Sequence, residues 1–214
     1  MAISHDTITG ISCAVALVNT KVNGTETLTD VAALDALLDR EQFSGRRDGT
    51  AAELRQVLAL RLRLRTAWEA PDTRTVVELA NRLLREAHAL PWLSDHDGWQ
   101  WHLHVTEPDA PLVHRIGAEV GMALADLIRL GELDRLRVCA ADECNAVLFD
   151  LTRNHSRIYC DTGNCGNREH VAAYRARRRE SAQSRVRAVP PGDPQPMKAR
   201  LSRPHQSSIA GQAP

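Results

Sequence analysis

The sequence predicts an α+β protein: a mostly helical N-terminal domain with a few short strands, then a small module of a β-hairpin and a basic helix, then a disordered tail. Three observations lead there. Apolar residues recur at helical spacing over much of residues 28–130. Four cysteines stand in the last third as two matched pairs, Cys139 with Cys144 and Cys160 with Cys165, each enclosing four residues. Residues 188–214 contain Pro190-Pro-Gly-Asp-Pro, are largely polar and lack periodicity, which predicts disorder.

In chain order, residues 11–20 form an apolar run closed by Asn19 and Thr20, read as a buried strand, although such a run also suits the start of a helix. Cys13 lies inside it and reads as a packed thiol, with no cysteine or histidine near it at ligand spacing. Residues 28–38 place Val31, Leu34, Leu37 and Leu38 on one helical face. Thr50-Ala-Ala-Glu53 and Thr75-Val-Val-Glu78 both match a capping box, which opens helices over residues 54–68 and from Thr75 to Leu90, the latter stopped by Pro91. Arg61, Arg63 and Arg65 in the first of these read as solvated flanks, because only Arg61 and Arg65 lie one turn apart.

Residues 99–105 alternate, with Trp99, Trp101, Leu103 and Val105 on one face and Gln100, His102 and His104 on the other, the pattern of a half-buried strand. The two histidines read as wet-face polar residues rather than a metal pair. Trp92, Trp99 and Trp101 read as core packing, with a ligand pocket as the rival. From Asp109 and Pro111 a long helix carries Ile116, Val120, Ala123, Leu124 and Leu127, and Gly131 stops it. The domain boundaries drawn from these signals are 1–134, 135–187 and 188–214.

Composition excludes several classes. The 214 residues are 43% hydrophobic and 25% charged, an ordinary globular range. No basic region followed by a long apolar run opens the chain, and no apolar stretch reaches about 18 residues. The expected location is the cytoplasm, away from membranes, where paired cysteines are more often metal ligands than disulfides. The zero net charge hides a split: residues 1–136 carry 14 basic against 20 acidic residues, and residues 137–214 carry 13 against 7. An acidic front and a basic back point to parts with different partners.

Two cysteine hooks separated by fifteen residues read as a four-thiolate site for one structural Zn2+, held by Cys139, Cys144, Cys160 and Cys165. The surrounding segment has too few large apolar residues to fold by burial, so the metal would supply folding free energy. Rubredoxin-like iron suits the same ligands but prefers two-residue hooks. With four thiolates no coordination position stays open, so no catalytic role is expected. His155 and His170 are reserve ligands that more naturally face phosphate or solvent. Residues 147–149 and 157–159 read as the two strands of a hairpin turned at Asn154-His155-Ser156. Gly166 would let its amide approach a thiolate, and Asn167 would cap a helix running to about Arg179.

Cys165-Gly-Asn-Arg168, the Cys-x4-Cys hooks, Phe149-Asp-Leu-Thr-Arg-Asn154 and Ala172-x-Tyr174-Arg-x-Arg177-Arg178 together resemble the CGNR zinc-finger family. Leu17-Val-Asn-Thr20, followed by helices, resembles the opening of the ABATE domain that precedes such fingers. The resemblance implies a bacterial transcription regulator, often described as stress-related, with a DNA-binding finger.

The residues carry their own argument for DNA as partner. Arg168, Arg175, Arg178 and Arg179 fall on about one face of a short basic helix, and Arg153 and Arg157 flank the neighbouring turn. Guanidinium forks bind phosphates and read guanine edges. The N-terminal domain would then dimerise or sense a small-molecule effector. The alternatives are a protein-interaction finger or an RNA binder. No phosphate loop and no Ser-His-Asp arrangement points to an enzyme.

Overall fold

A computed structural model describes residues 3–94 and 102–187. The chain divides into two compact units, Met1–Ala172 and Ala173–Pro214. The expected tail, 188–214, and Trp99 and Trp101 lie outside the described residues.

The first unit is built on three mutually packed helices, α1 (His5–Val18), α3 (Ala51–Glu69) and α5 (Leu112–Leu130), with α4 (Thr73–Glu86) against α3 and α5 and α2 (Val31–Arg40) against α3. Here the first expectation fails: residues 11–18 are helix, not strand. The start signal lies upstream, where Ser4 Oγ accepts the Thr7 amide at 3.1 Å. Thr7, Gly10, Ile11, Ala14, Leu17 and Val18 are buried at three- and four-residue steps. α1 is apolar nearly all round because it is central, which hides its period. A Cβ on Gly10 would stand 3.0 Å from Ala123 Cβ and 3.1 Å from Glu119 O, so glycine is what lets α1 cross α5 closely.

Caps decide the other helices. Thr50 Oγ1 accepts the Glu53 amide at 3.1 Å, as the capping box requires. The Glu53 carboxylate does not return to Thr50, however; it accepts from the Asp48 and Gly49 amides at 3.0–3.1 Å and ties down the preceding loop. The second box is displaced by a competitor one turn earlier. Asp72 Oδ1 accepts both the amide and the hydroxyl of Thr75 at 2.9 Å, so α4 starts at Thr73 and Thr75 sits inside its first turn. That helix ends at Glu86 rather than Leu90. α5 follows its expectation, with Ile116, Val120, Ala123, Leu124 and Leu127 buried and Gly131 left-handed at φ 72° beyond its end.

Arg61 is not a solvated flank. It is 6% exposed, forks onto Glu26 with two 2.7 Å bonds and donates to Thr20 Oγ1 at 2.8 Å. This pair, its arginine buried and its glutamate half-buried, pins the hairpin of β1 (Lys21–Val22) and β2 (Thr25–Glu26) to α3. Arg63 pairs with Glu86 as a flank does, whereas Arg65, half-buried, pairs with Glu69 and also donates Nη2 to the Asn145 carbonyl at 2.9 Å.

β3 (Trp92–Ser94) pairs antiparallel with β4 (His102–His104), in the register Trp92↔His104, Leu93↔Leu103, Ser94↔His102. Val105 is buried but Leu103 is 40% exposed, and Trp92 stacks on His104 at 5.5 Å.

The last pair, β5 (Leu136–Val138) and β6 (Val147–Phe149), follows the short helical turn Leu133–Arg135. β6 is expected to pair with residues 157–159, but these form no strand; the Ala140 amide donates to the Ile158 carbonyl at 2.8 Å and the Arg157 amide to Asp150 Oδ2 at 2.9 Å. β6 is instead clasped by the helices. Asn19 donates Nδ2 to the Val147 carbonyl and accepts its amide, both at 2.8 Å, imitating a neighbouring strand. Trp68 Nε1 donates to the Leu148 carbonyl at 2.9 Å, and Asn23 and Asn145 exchange amide-to-side-chain bonds at 2.8 and 3.0 Å. Val147 and Phe149 join the helical core while Leu148 points into the cysteine cluster. The final helix, α6 (Cys165–Arg187), begins on the last cysteine.

Candidate metal centre and its basic neighbours

Each hook is made the same way. A residue in the left-handed region, Glu143 at φ 60° and Asn164 at φ 52°, stands immediately before the second cysteine and turns the chain back. The four sulfurs, one from each of Cys139, Cys144, Cys160 and Cys165, all lie within 4.8 Å of one another. Cys144 Sγ is 3.8 Å from Cys160 Sγ, and Cys160 Sγ is 3.7 Å from Cys165 Sγ. Four thiolates at about 2.3 Å from one zinc define a tetrahedron with edges of about 3.8 Å. The match is close, and the spacing is far beyond the roughly 2.05 Å of a disulfide.

Backbone amides serve the sulfurs. Those of Ala141 and Cys160 point at Cys139, that of Ala146 at Cys144 and that of Gly163 at Cys160. Burial works against ionisation of Cys139, but its two amide donors hold its pKa below the ordinary thiol value. Cys160 is pushed up to about 12, by burial first and by the neighbouring sulfurs after it. Four sulfurs this close ionise together only around a cation, and zinc fits the donor set. Cys139, Cys144, Cys160 and Cys165 therefore form the site of one structural zinc, and bound metal would cross-link the β5–β6 loop, the loop before α6, and α6 itself.

Gly166 does not need to lack a side chain where it stands. A Cβ there would meet Tyr159 at an ordinary 3.5 Å, whereas one on Gly163 would press on Cys165 Sγ at 3.2 Å. Nor is Asn167 the cap: α6 starts two residues before it, and Asn167 Nδ2 donates to Asn164 Oδ1 at 2.8 Å. His155 is half-buried beside two carboxylates. Its Nδ1 is 2.9 Å from Asp134 Oδ2 and its Nε2 3.4 Å from Glu132 Oε2. His170 meets the Tyr159 ring edge-on at 6.4 Å.

Sequence reasoning gave no role to Asp150, which is fully buried and organises the loop that carries Arg153. Asp150 accepts from the Thr152 amide at 2.8 Å, the Thr152 hydroxyl at 2.6 Å and the Arg157 amide at 2.9 Å, with Arg137 Nη1 at 3.6 Å. Burial opposes its charge, yet these donors hold its carboxyl below the usual range. The signal was the Asp-x-Thr of Asp150-Leu-Thr152, a side chain that bonds the backbone two residues on. Arg135 adds bonds to the Asp150 and Thr152 carbonyls at 2.8 and 2.9 Å.

The expected nucleic-acid residues divide between the units. In the first, Arg153 is exposed, Arg157 is half-buried and paired with Asp161, and Arg168 Nη2 lies 3.3 Å from Cys165 Sγ. In the second, Arg175, Arg178 and Arg179 are exposed, and Arg178 stands 6.0 Å from the Tyr174 ring centroid. Every side chain described there, residues 173–181, is exposed.

None of the helices among the described residues is long and apolar enough to cross a membrane. A search of curated proteins found no match. Two family models do match: the CGNR zinc finger over residues 135–178, and over residues 12–131 the ABATE family, described as "Putative stress-induced transcription regulator". The hooks that converge on one metal are thus those of a CGNR finger, and since the second match spans more than half its length the chain belongs to the ABATE family.

Proposed function

We propose that the protein is a DNA-binding transcription regulator of the cytoplasm. Zinc fixes the start of α6, and Arg153, Arg157, Arg175, Arg178 and Arg179 meet phosphates or base edges. The observation that carries this reading is the run 173–181, in which Arg175, Arg177, Arg178 and Arg179 are exposed and have no ion pair among the described residues. A helix exposed on every side is not built to pack, and four exposed guanidinium groups suit a polyanion. The helical part, residues 1–134, serves dimerisation or effector sensing, and residues 135–187 serve as the reader. No enzymatic role is proposed, because four protein ligands close the metal.

The test is a gel-shift or anisotropy titration of the full chain with duplex DNA, repeated for R175A/R178A/R179A. The triple variant should lose about 3 kcal/mol or more, taking about 1 kcal/mol or more per charge-assisted contact. Equal affinity in both proteins overturns the reading. Tyr174, 55% exposed beside Arg175 and Arg178, favours RNA as a second reading, since unpaired bases stack on such rings. Single-stranded RNA binding tighter than duplex DNA would select it. A protein-docking finger is the remaining alternative, marked by a triple variant that still joins its partner without nucleic acid.

A further inference from the structure

Arg168 differs from the other arginines of the finger. It is the fourth residue of α6, one turn from Cys165, and its Nη2 lies 3.3 Å from that cysteine's sulfur. The amide donors noted above point at Cys139, Cys144 and Cys160. Cys165 receives this guanidinium. No carboxylate among the described residues pairs with Arg168. Four thiolates around a divalent cation carry a formal charge of −2, so the centre draws a cation, and Arg168 is held where that charge sits.

We infer that Arg168 is a positioning residue of the metal centre, acting through Cys165: its guanidinium donates to the thiolate and offsets the charge of the site, and it is not a phosphate contact. The chemistry favours arginine at this place. A weakly hydrated planar guanidinium stacks close to soft sulfur and stays charged at every working pH, whereas a lysine ammonium holds its water more firmly. A donor to a ligand raises the metal's retention by orienting the sulfur and lowering the charge that must be gathered, an effect usually worth about 10–100-fold in metal affinity.

This rests on the zinc site and is independent of whether DNA is the partner. The test uses the full chain as wild type, R168Q, R168K and, as a control in the same helical turn, N167A. Zinc retention is read by competition with a chromophoric chelator, and the thiolate-to-metal charge-transfer bands are read after cobalt(II) replacement. R168Q should hold zinc about tenfold more weakly and shift the cobalt bands, with R168K between it and wild type and N167A like wild type. The salt dependence of duplex binding, where binding is found, should be the same for R168Q as for wild type. Unchanged zinc retention in R168Q overturns the inference. So does a log–log salt slope shallower by about 0.9, the signature of one lost phosphate contact. Should R168Q fail to fold, R168K decides alone: wild-type retention and unshifted cobalt bands overturn the inference, and intermediate values support it. An absence of DNA binding in every protein would sink the proposed function and leave the zinc comparison standing.

Discussion

Two half-buried carboxylates of the first unit titrate in opposite directions, and their neighbours explain why. Glu26 accepts the fork of Arg61, which with the Leu28 amide holds its pKa below the ordinary value against the pull of burial. Removing it by Glu26→Ala strands a guanidinium that is 7% exposed, and should cost about 3 kcal/mol in urea unfolding. Among the described residues Glu119 on α5 has no such donor; burial pushes its pKa up to about 7, against the attraction of Arg115 and with help from Asp6. A raised carboxyl pKa means the folded state binds the extra proton, so this residue's contribution falls as pH rises from about 4.3 through about 7. Glu119→Gln should therefore match wild type near pH 4.5 and exceed it at pH 8 by on the order of 1–2 kcal/mol. Thermal unfolding at the two pH values checks this, and equal differences at both would contradict it. Individual residues were legible where chemistry is local: the four cysteines from spacing, Gly131 from its place after a periodic run. Arg61 was not, because its partner Glu26 sits 35 residues away and solvent exposure cannot be read from helical spacing.

At the scale of elements, the errors share a cause. A helix announces itself by its cap and its period, and α1 hides both: the cap, Ser4, precedes the apolar run, and a central helix has little polar face. α4 offered two caps, and Asp72, whose carboxylate binds two donors of Thr75, won over Thr75 itself. α6 is the opposite case. Residues 173–181 have no buried face, and most helical stability in proteins comes from tertiary packing. What fixes its start is Cys165, and the negative metal centre at its N-terminus complements the helix dipole. Chelating the metal should thus lower the far-UV helical signal, and added zinc should restore it. A helical signal indifferent to chelation would show that α6 stands without the metal.

At the scale of the molecule, the cysteine hooks belong to the same compact unit as the helices. The sequence drew a boundary near residue 135 because the composition changes there, and the family matches also change over between residues 131 and 135. The bonds that tie the parts together span 80 to 128 residues: Trp68 to Leu148, Asn19 to Val147. No local pattern reveals such pairs, although Leu17-Val-Asn-Thr20 had already marked the place. Asn19→Ala leaves a buried amide and carbonyl of β6 without partners, and should cost about 2 kcal/mol. Because β6 shares its core with α1 and α3, metal removal should lower the unfolding temperature of the whole first unit in one transition, as scanning calorimetry would record.

The central claim, that a zinc-held basic helix meets nucleic acid, is tested most directly by the affinity of the zinc-loaded chain for duplex DNA at several salt concentrations. Five arginine–phosphate contacts predict a log–log slope of about −4 to −5, a loss of about 10²–10³-fold between about 50 and 200 mM salt. Binding that is absent at about 50 mM salt, or indifferent to salt, contradicts it.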